Sequence, residues 1–287
     1  MQALFGQLLL GVINGSFYAL LSLGLAVIFG LLDIVNFAHG ALYMTGAFVA
    51  SILLADFRIG FWPALVLAPC AVGLLGLGIE RGLLRRLHGL DSLYGLLLTF
   101  GLTLILEGLF HERFGNSGRP YPVPDLLKGG VELPFMYLPL YRAFAVVVAV
   151  VVCFGCWLVI ERTRLGSYLR AGTENPRLLQ AFGVNVPLMR TLTYGFGSAL
   201  AAFAGVMAAP IYQVTPAMGS DLVIVVFAVV VIGGMGSIVG SIVSGLALGL
   251  VEGMTRYLYP PASSLVVFLV MAAILLLRPA GLFGRQK

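Results

Sequence analysis

Polar side chains within apolar stretches are the residues of this sequence most suited to chemistry. Asn36 and His39 lie in the segment NFAHG, residues 36–40, between two long apolar stretches. Amide and ionisable groups at membrane depth are costly, so they normally face a helix-bundle interior or water. The Asn36 side chain is expected to cap the helix that follows. His39 fits three interpretations, which are a proton carrier, a substrate ligand and a packed core residue.

Two carboxylates, Glu107 and Glu252, lie deeper in apolar stretches than the other acidic residues. Paired intramembrane carboxylates are typical of ion-coupled carriers, so these residues keep a secondary carrier open as an interpretation. Glu80, Glu112 and Asp221 fall near the ends of apolar stretches, where an interfacial placement is expected.

The sequence contains no recognisable catalytic or nucleotide-binding motif. His88 and His111 are far from His39, and no second cysteine pair accompanies Cys153 and Cys156, so no metal site is expected. The P-loop pattern G-x-x-x-x-G-K-[ST] is absent. We therefore expect a chain that is not an enzyme and that has no cofactor.

A glycine cluster, GGMGS at residues 233–237, interrupts the apolar stretch 222–255. Each glycine weakens a helix by about 1 kcal/mol relative to alanine, so a helix break is predicted. Unwound backbone at membrane depth persists only where protein buries it or it lines a wet cavity. The break is therefore a candidate for a solute pathway. GxxxG pairs elsewhere, such as Gly11 with Gly15, indicate close helix packing.

The most informative polar segment covers residues 161–190. Asn175 is a favourable N-cap, Pro176 suits the first helical position and Gly183 suits a left-handed C-terminal position. These residues predict a short helix from Pro176 to Phe182. Its apolar patch comprises Leu178, Leu179, Ala181 and Phe182. Such a helix suits docking to another protein, and a plain surface helix on lipid headgroups is the alternative interpretation.

The composition identifies lipid as the solvent for much of the chain. Of 287 residues, 60% are hydrophobic and 10% are charged, and the mean hydropathy is +1.03. Soluble domains are about 45–50% apolar and about 25% charged. A soluble enzyme, a nucleic-acid-binding module and a disordered chain are thereby excluded. The net charge of +5 reflects arginines in short interhelical segments, which topology explains better than nucleic-acid binding.

Apolar stretches of this length predict spanning helices. They lie near residues 4–30, 36–55, 62–80, 93–112, 142–160, 188–210, 222–240, 240–255 and 264–278. The stretch 222–255 fits two short helices, one span with a re-entrant piece, or a broken helix. We therefore predict an all-α polytopic membrane protein, a bundle of 8–10 transmembrane helices with glycine-broken helices, forming a single domain over residues 1–287.

Cytoplasmic loops of membrane proteins carry an excess of lysine and arginine. This rule places residues 81–92, residues 161–190 and the C-terminal tail, with Arg278, Arg285 and Lys287, in the cytoplasm. The proline-rich loop at residues 113–141 is expected to be external, and the side of the N-terminus stays open.

Six segments together resemble the branched-chain amino acid ABC transporter permeases of the LivH type, over nearly the whole chain. They are NGSFYALLSLGLAVIFGLLDIVNFAHGALYMTGAF at 14–48, ERGLLRRL at 80–87, LLTFGLTLILEG at 97–108, TRLGSYLRAGTENPRLLQAFGVNV at 163–186, GSALAAFAGVMAAPIYQVTPAMGSD at 197–221 and VVVIGGMGSIVGSIVSGLALGLVE at 229–252. NFAHG favours the LivH type over the companion permease of the same system.

The resemblance implies a permease subunit of the bacterial inner membrane that imports leucine, isoleucine and valine. Related permeases for urea, amides or aromatic acids are the alternative within the family. The implied partners are a second related permease in a heterodimer, two cytoplasmic ABC ATPases, a periplasmic solute-binding protein and the lipid bilayer. No nucleic acid is implied.

The resemblance also gives two groups of residues a role. The segment that would couple to an ATPase contributes Arg170, Glu174, Asn175, Pro176, Leu179, Phe182 and Gly183. The candidate translocation pathway contributes Asn36, His39, Gly40, Gly233, Gly234, Gly236 and Ser237.

Overall fold

The structure is a computed structural model that describes residues 2–32 and 34–284, so Arg285 and Lys287 of the basic tail lie outside the described residues. The helices are α1 (Gln2–Leu32), α2 (Ala38–Phe57), α3 (Phe61–Gly82), α4 (Ser92–Phe114), α5 (Leu140–Arg162), α6 (Arg164–Glu174), α7 (Pro176–Ala181), α8 (Val186–Ala208), α9 (Met218–Gly233), α10 (Ile238–Leu258) and α11 (Val266–Leu277). Strands β1 (Gly130–Leu133) and β2 (Met136–Pro139) form an antiparallel hairpin.

Long apolar helices dominate the chain and make it a multi-pass membrane protein. Within residues 2–32 and 34–284, seven helices are long and apolar enough to cross a bilayer, namely α1, α2, α3, α4, α5, α8 and α10. Two shorter apolar helices, α9 and α11, have 16 and 12 residues. The all-α fold class is confirmed. Among the described residues, the seven long helices and these two shorter ones make nine, which lies within the expected range of 8–10.

The described chain forms two compact units. The central unit comprises residues 24–121 and 156–223, and the terminal unit comprises residues 2–23, 122–155 and 224–284. Helices α1, α5 and α9 pass from one unit into the other. That the whole chain acts as one permease domain stays a prediction.

Helices α2, α3 and α8 pack closely in the central unit because small residues line their crossings. A Cβ atom added to Gly46 of α2 would overlap Ala202 of α8, and one added to Gly76 of α3 would overlap Ser198 of α8. Removing the side chain at such positions lets helix backbones approach and gain dispersion contacts that lipid alone does not provide. Dispersion contacts between closely packed backbones therefore stabilise the long helices of this unit.

In the terminal unit, small residues also line the crossing of α1 with α10. Gly11 faces the backbone of Gly249, and Gly15 faces the backbone at Gly245. The GxxxG pairs thus mark a tight helix crossing, as their spacing predicts. Beside this crossing, a buried apolar cluster joins α9, α10 and α11, with its members Ala228, Val229, Ile232, Leu248 and Val267.

Several local features differ from the sequence-based expectations. The loop at residues 113–141 contains the hairpin β1–β2, and residues 164–174 form the helix α6, neither of which was predicted. Cys153 and Cys156 both lie on α5. Within the described ranges no group of three metal-ligating side chains occurs.

Candidate functional site

The segment from α6 to the start of α8 is the clearest candidate site, and its short helix has the predicted caps. The Asn175 side chain accepts a hydrogen bond from the Leu178 amide at 2.9 Å. Gly183 adopts a left-handed φ of 81°. The Gly183 amide donates to the Gln180 carbonyl and the Val184 amide donates to the Leu179 carbonyl, which is a Schellman C-cap. The helix predicted from Pro176 to Phe182 is therefore confirmed as α7, with Phe182 as its C-cap residue.

Buried contacts anchor α6 and α7 to the central unit. Leu179 is buried, and a Cβ added to Gly172 would meet Met189 of α8 at 2.7 Å and Leu31 of α1 at 3.1 Å. Leu179 was assigned to the outward patch, but the structure turns it inward because successive residues of a helix face different sides. Leu179 therefore holds α7 in place and leaves contact with a partner to its neighbours.

The outward surface of α7 is apolar and surrounded by charge. Phe182 is 78% exposed and Leu178 is 54% exposed. On α6, Arg170 forms an ion pair with Glu161 at 3.0 Å, which ties α6 to the end of α5. Both side chains are partly exposed, so this pair contributes little to stability. An exposed phenylalanine on a rigidly capped helix is a suitable protein-docking feature.

A buried polar cluster lies where α3 ends and α8 begins, next to this segment. Glu80 lies in the last turn of α3 and is fully buried between helices. The Thr191 hydroxyl donates a hydrogen bond to Glu80 Oε2, and His88 Nε2 lies 3.7 Å from Glu80 Oε1. Burial first, and then the positive charges of Arg190 and Arg85, lower the pKa of His88 from 6.5 to about 4.

His88 is therefore neutral at pH 7, and its approach to Glu80 is not an ion pair. The cluster joins α3, the linker after it and α8, whose first turns follow α7 after a short link. Sequence reasoning missed the cluster because Thr191 is 111 residues from Glu80 in the chain. The only available signal was the ERGLLRRL motif that contains Glu80.

The segment at residues 34–40 is buried in the central unit. Asn36 does not cap α2, because the N-cap residue is Phe37 and no side-chain capping bond forms. Its Oδ1 instead accepts a hydrogen bond from the Tyr194 hydroxyl at 3.4 Å. His39 is fully buried and its imidazole packs against Gly24. This geometry favours the packing interpretation of His39. Gly40 faces the backbone of Gly219 at the start of α9.

The glycine cluster of the terminal unit forms a tight turn between α9 and α10. Gly234 and Gly236 have φ values of 100° and 81°, which favour glycine. Ser237 is the N-cap of α10, and its hydroxyl accepts from the Gly240 amide at 3.1 Å. The amide of Phe283 donates to the Gly233 carbonyl, so the C-terminal segment packs on the turn. The predicted break is confirmed, and of the three arrangements considered the structure has two helices.

The two deep carboxylates belong to different units, and each has a partner of its own. The Ser220 hydroxyl donates to Glu107 in the central unit. In the terminal unit, the Tyr18 hydroxyl donates to Glu252 at 2.8 Å and Arg256 pairs with it at 2.5 Å. Each carboxylate therefore has a hydrogen-bond partner within its own unit. This arrangement gives little support to a role of the two carboxylates in ion coupling.

The long apolar helices are those of a multi-pass membrane protein, and comparisons with known proteins give its family. Residues 7–275 match the family described as the permease component of the branched-chain amino acid transport system. The chain belongs to this family of transport permeases, so it is a transport subunit and not an enzyme.

Relatives of known name match the chain over nearly its full length. The high-affinity branched-chain amino acid transport system permease protein BraD of Pseudomonas aeruginosa is 33% identical, with 98% of this chain and 96% of the relative covered. The permease protein LivH of Escherichia coli K12 is 29% identical with the same coverage. A probable LivH of Methanocaldococcus jannaschii is 27% identical, with 95% of this chain and 90% of the relative covered. No solved structure matches the chain.

Proposed function

We propose that this chain is the permease subunit of an ATP-driven importer that carries branched-chain amino acids across the bacterial inner membrane. The near full-length similarity to BraD and LivH, both named as branched-chain amino acid permeases, carries this proposal. Permeases for urea, amides or aromatic acids are the alternative within the family.

Energy must come from partner subunits, because the sequence contains no P-loop. The proposed partners are two cytoplasmic ABC ATPases, a second related permease and an external solute-binding protein. The surface around Phe182 would contact an ATPase, with Asn175 and Gly183 fixing the ends of its helix. A rigid helix can transmit the movement of a motor, whereas an uncapped loop would absorb it.

The distribution of arginines supports the proposed orientation. At the end of the central unit where α3 ends and α8 begins, residues 81–86 carry three arginines and residues 162–190 carry five, which makes eight. The opposite end carries three, namely Arg58, Arg113 and Arg119. By the positive-inside rule, this count supports a cytoplasmic position for the segment from α6 to the start of α8, residues 164–186, which we call the docking segment.

In the proposed mechanism, ATP binding moves the ATPases, and α7 transmits this movement to the membrane helices. The helices then alternate between outward-open and inward-open states. The ATPases must interact differently with the two states, since otherwise ATP binding would not shift their equilibrium. Residues 36–40 and 233–237 are the proposed pathway segments, as places where helices begin, end and pack through glycine.

The test is to purify the chain from its native membrane in mild detergent and to identify its partners by mass spectrometry. Two P-loop ATPases and a second permease are expected. Vesicles containing this assembly should take up labelled leucine only with ATP and the binding protein. Uptake by the chain alone, abolished by a proton uncoupler, would overturn the proposal in favour of a secondary carrier.

A further inference from the structure

A cleft between α2, α3 and α4 of the central unit has no role in the function proposed above. Its volume is about 680 Å³. Aliphatic side chains form its walls, with Ile52 from α2, Leu75 from α3 and Leu106 and Leu109 from α4. Three charged residues, Asp56, Arg113 and Arg119, line the same cleft.

The length of the cleft matches one leaflet of a bilayer. It extends along α2 from Thr45 to Asp56, and eleven residues at about 1.5 Å per residue give roughly 16 Å. Half of a hydrocarbon core of about 30 Å is about 15 Å. Asp56 and Arg113 lie in the last turns of α2 and α4, so the charges are at the level of the lipid headgroups.

The cleft opens sideways between α3 and α4. Leu75 and Leu109 line it and are 40% and 59% exposed. Helix α3 packs against α2 and α8, whereas α4 packs mainly against α2, which leaves the space between α3 and α4 open. In a membrane, this opening faces hydrocarbon, and an acyl chain can enter it without crossing water.

Within the described part of the chain, the charges at the headgroup level have no partner of opposite charge. Among residues 2–32 and 34–284, no carboxylate lies within 4.0 Å of the Arg113 or Arg119 guanidinium, and no cation lies within 4.0 Å of the Asp56 carboxylate. Both arginines instead approach the Phe114 ring, with the Arg119 guanidinium carbon 4.8 Å from the ring centroid. Both guanidinium groups therefore lie within 6 Å of the same ring.

We propose that the cleft binds a phospholipid with an amino headgroup, such as phosphatidylethanolamine. Its phosphate would lie between Arg113 and Arg119, its ammonium group at Asp56 and one acyl chain along Ile52 and the leucine wall. Arginines bind phosphate oxygens through charge-assisted hydrogen bonds. The volume suits a drug-sized ligand better than a free amino acid, and the sideways opening favours a lipid over a water-borne solute.

The experiment is native mass spectrometry of the assembly purified from its own membrane, with retained lipids released and identified. Phosphatidylethanolamine should be retained by the native chain. The double variant Arg113→Gln/Arg119→Gln should retain it about tenfold less, because it loses charge-assisted hydrogen bonds. Arg58→Gln is the matched control, because Arg58 is an exposed arginine at the same end of the bundle outside the cleft.

Headgroup choice gives a second and independent readout. The native chain, titrated with phosphatidylethanolamine and phosphatidylglycerol, should prefer the former severalfold, and Asp56→Asn should remove this preference. If the double arginine variant does not fold, Ile52→Trp serves instead, because it fills the apolar wall and leaves every charge in place.

Three results would overturn the proposal. Equal lipid retention by the native chain, the double arginine variant and Arg58→Gln would show that the cleft holds no specific lipid. Displacement of the lipid by leucine would make the cleft a solute site. Absence of the lipid from the assembled transporter would indicate that another subunit covers the cleft.

Discussion

The docking segment and the crossing of α2 with α8 are both parts of the central unit, but different interactions stabilise them. Around α7, side-chain contacts stabilise the structure, since Asn175 caps the helix and Leu179 anchors it. At the crossing, the missing side chain of Gly46 lets the two backbones meet. The docking segment presents Phe182 to solvent, whereas the crossing is buried.

This difference separates two kinds of sensitivity to mutation. In the docking segment, a substitution at an exposed position can remove a contact with a partner while the chain still folds. At the crossing, any added atom acts on the packing itself, because interiors have few voids that could absorb it. Function and folding can therefore be perturbed separately in the same unit.

The largest effect is expected for Gly46→Leu at the crossing. The new side chain would overlap Ala202, and overpacking of this kind costs roughly 1–3 kcal/mol or more. Folded protein should be largely lost, as measured by fluorescence size-exclusion chromatography and thermal unfolding in detergent. Gly78→Leu on α3 is the control, because nothing lies within 4 Å of its Cβ position. Equal loss for both variants would contradict the role of close packing.

The next effect is expected for Phe182→Asp in the docking segment. A charge on the most exposed apolar side chain of α7 should lower ATP-driven uptake at least about tenfold, or ~1.4 kcal/mol. Thermal stability should stay unchanged, because Phe182 makes little contact with its own chain. Leu126→Asp is the control, since Leu126 is 79% exposed in the loop at residues 113–141. Normal uptake by Phe182→Asp would remove the docking assignment.

A smaller effect is expected for the helix cap. Asn175→Ala removes a cap worth about 1 kcal/mol from a helix of six residues, so α7 should fray. Uptake should fall up to about fivefold, and trypsin should cleave faster after Arg177. Asn185→Ala removes the same kind of cap from α8, which has 23 residues and is held by packing. Identical losses in both variants would refute this distinction.

The smallest effect is a pH dependence set by His88. The folded state lowers the pKa of His88 from 6.5 to about 4, so acid favours the unfolded chain. The contribution of neutral His88 to the free energy of unfolding is fully present above about pH 6.5 and is lost as the pH falls toward 4. His88→Gln should flatten the pH dependence of thermal unfolding in this range, because it removes the titrating imidazole and leaves the other residues of the cluster in place. His111→Gln, at an exposed position, should leave the dependence unchanged.

Features that depend on neighbours within a few residues could be predicted from the sequence alone. The caps at Asn175 and Gly183, the turn after Gly233 and the apolar length of the membrane helices were all predicted correctly. Each is governed by backbone preferences, by hydrogen bonds over three to five residues or by the thickness of the bilayer. The same local logic failed for Asn36, where a distant tyrosine offers the side chain a partner that competes with capping.

Contacts between residues far apart in the chain depend on how the helices pack. The tertiary structure buries Glu80 against Thr191, turns Leu179 inward while Leu178 stays outside, and leaves Arg113 and Arg119 beside an open cleft. None of these outcomes follows from periodicity or composition, because burial and charge pairing depend on which helices become neighbours. In a chain this apolar, most faces are alike in hydropathy, and the small residues at the helix crossings decide which faces meet.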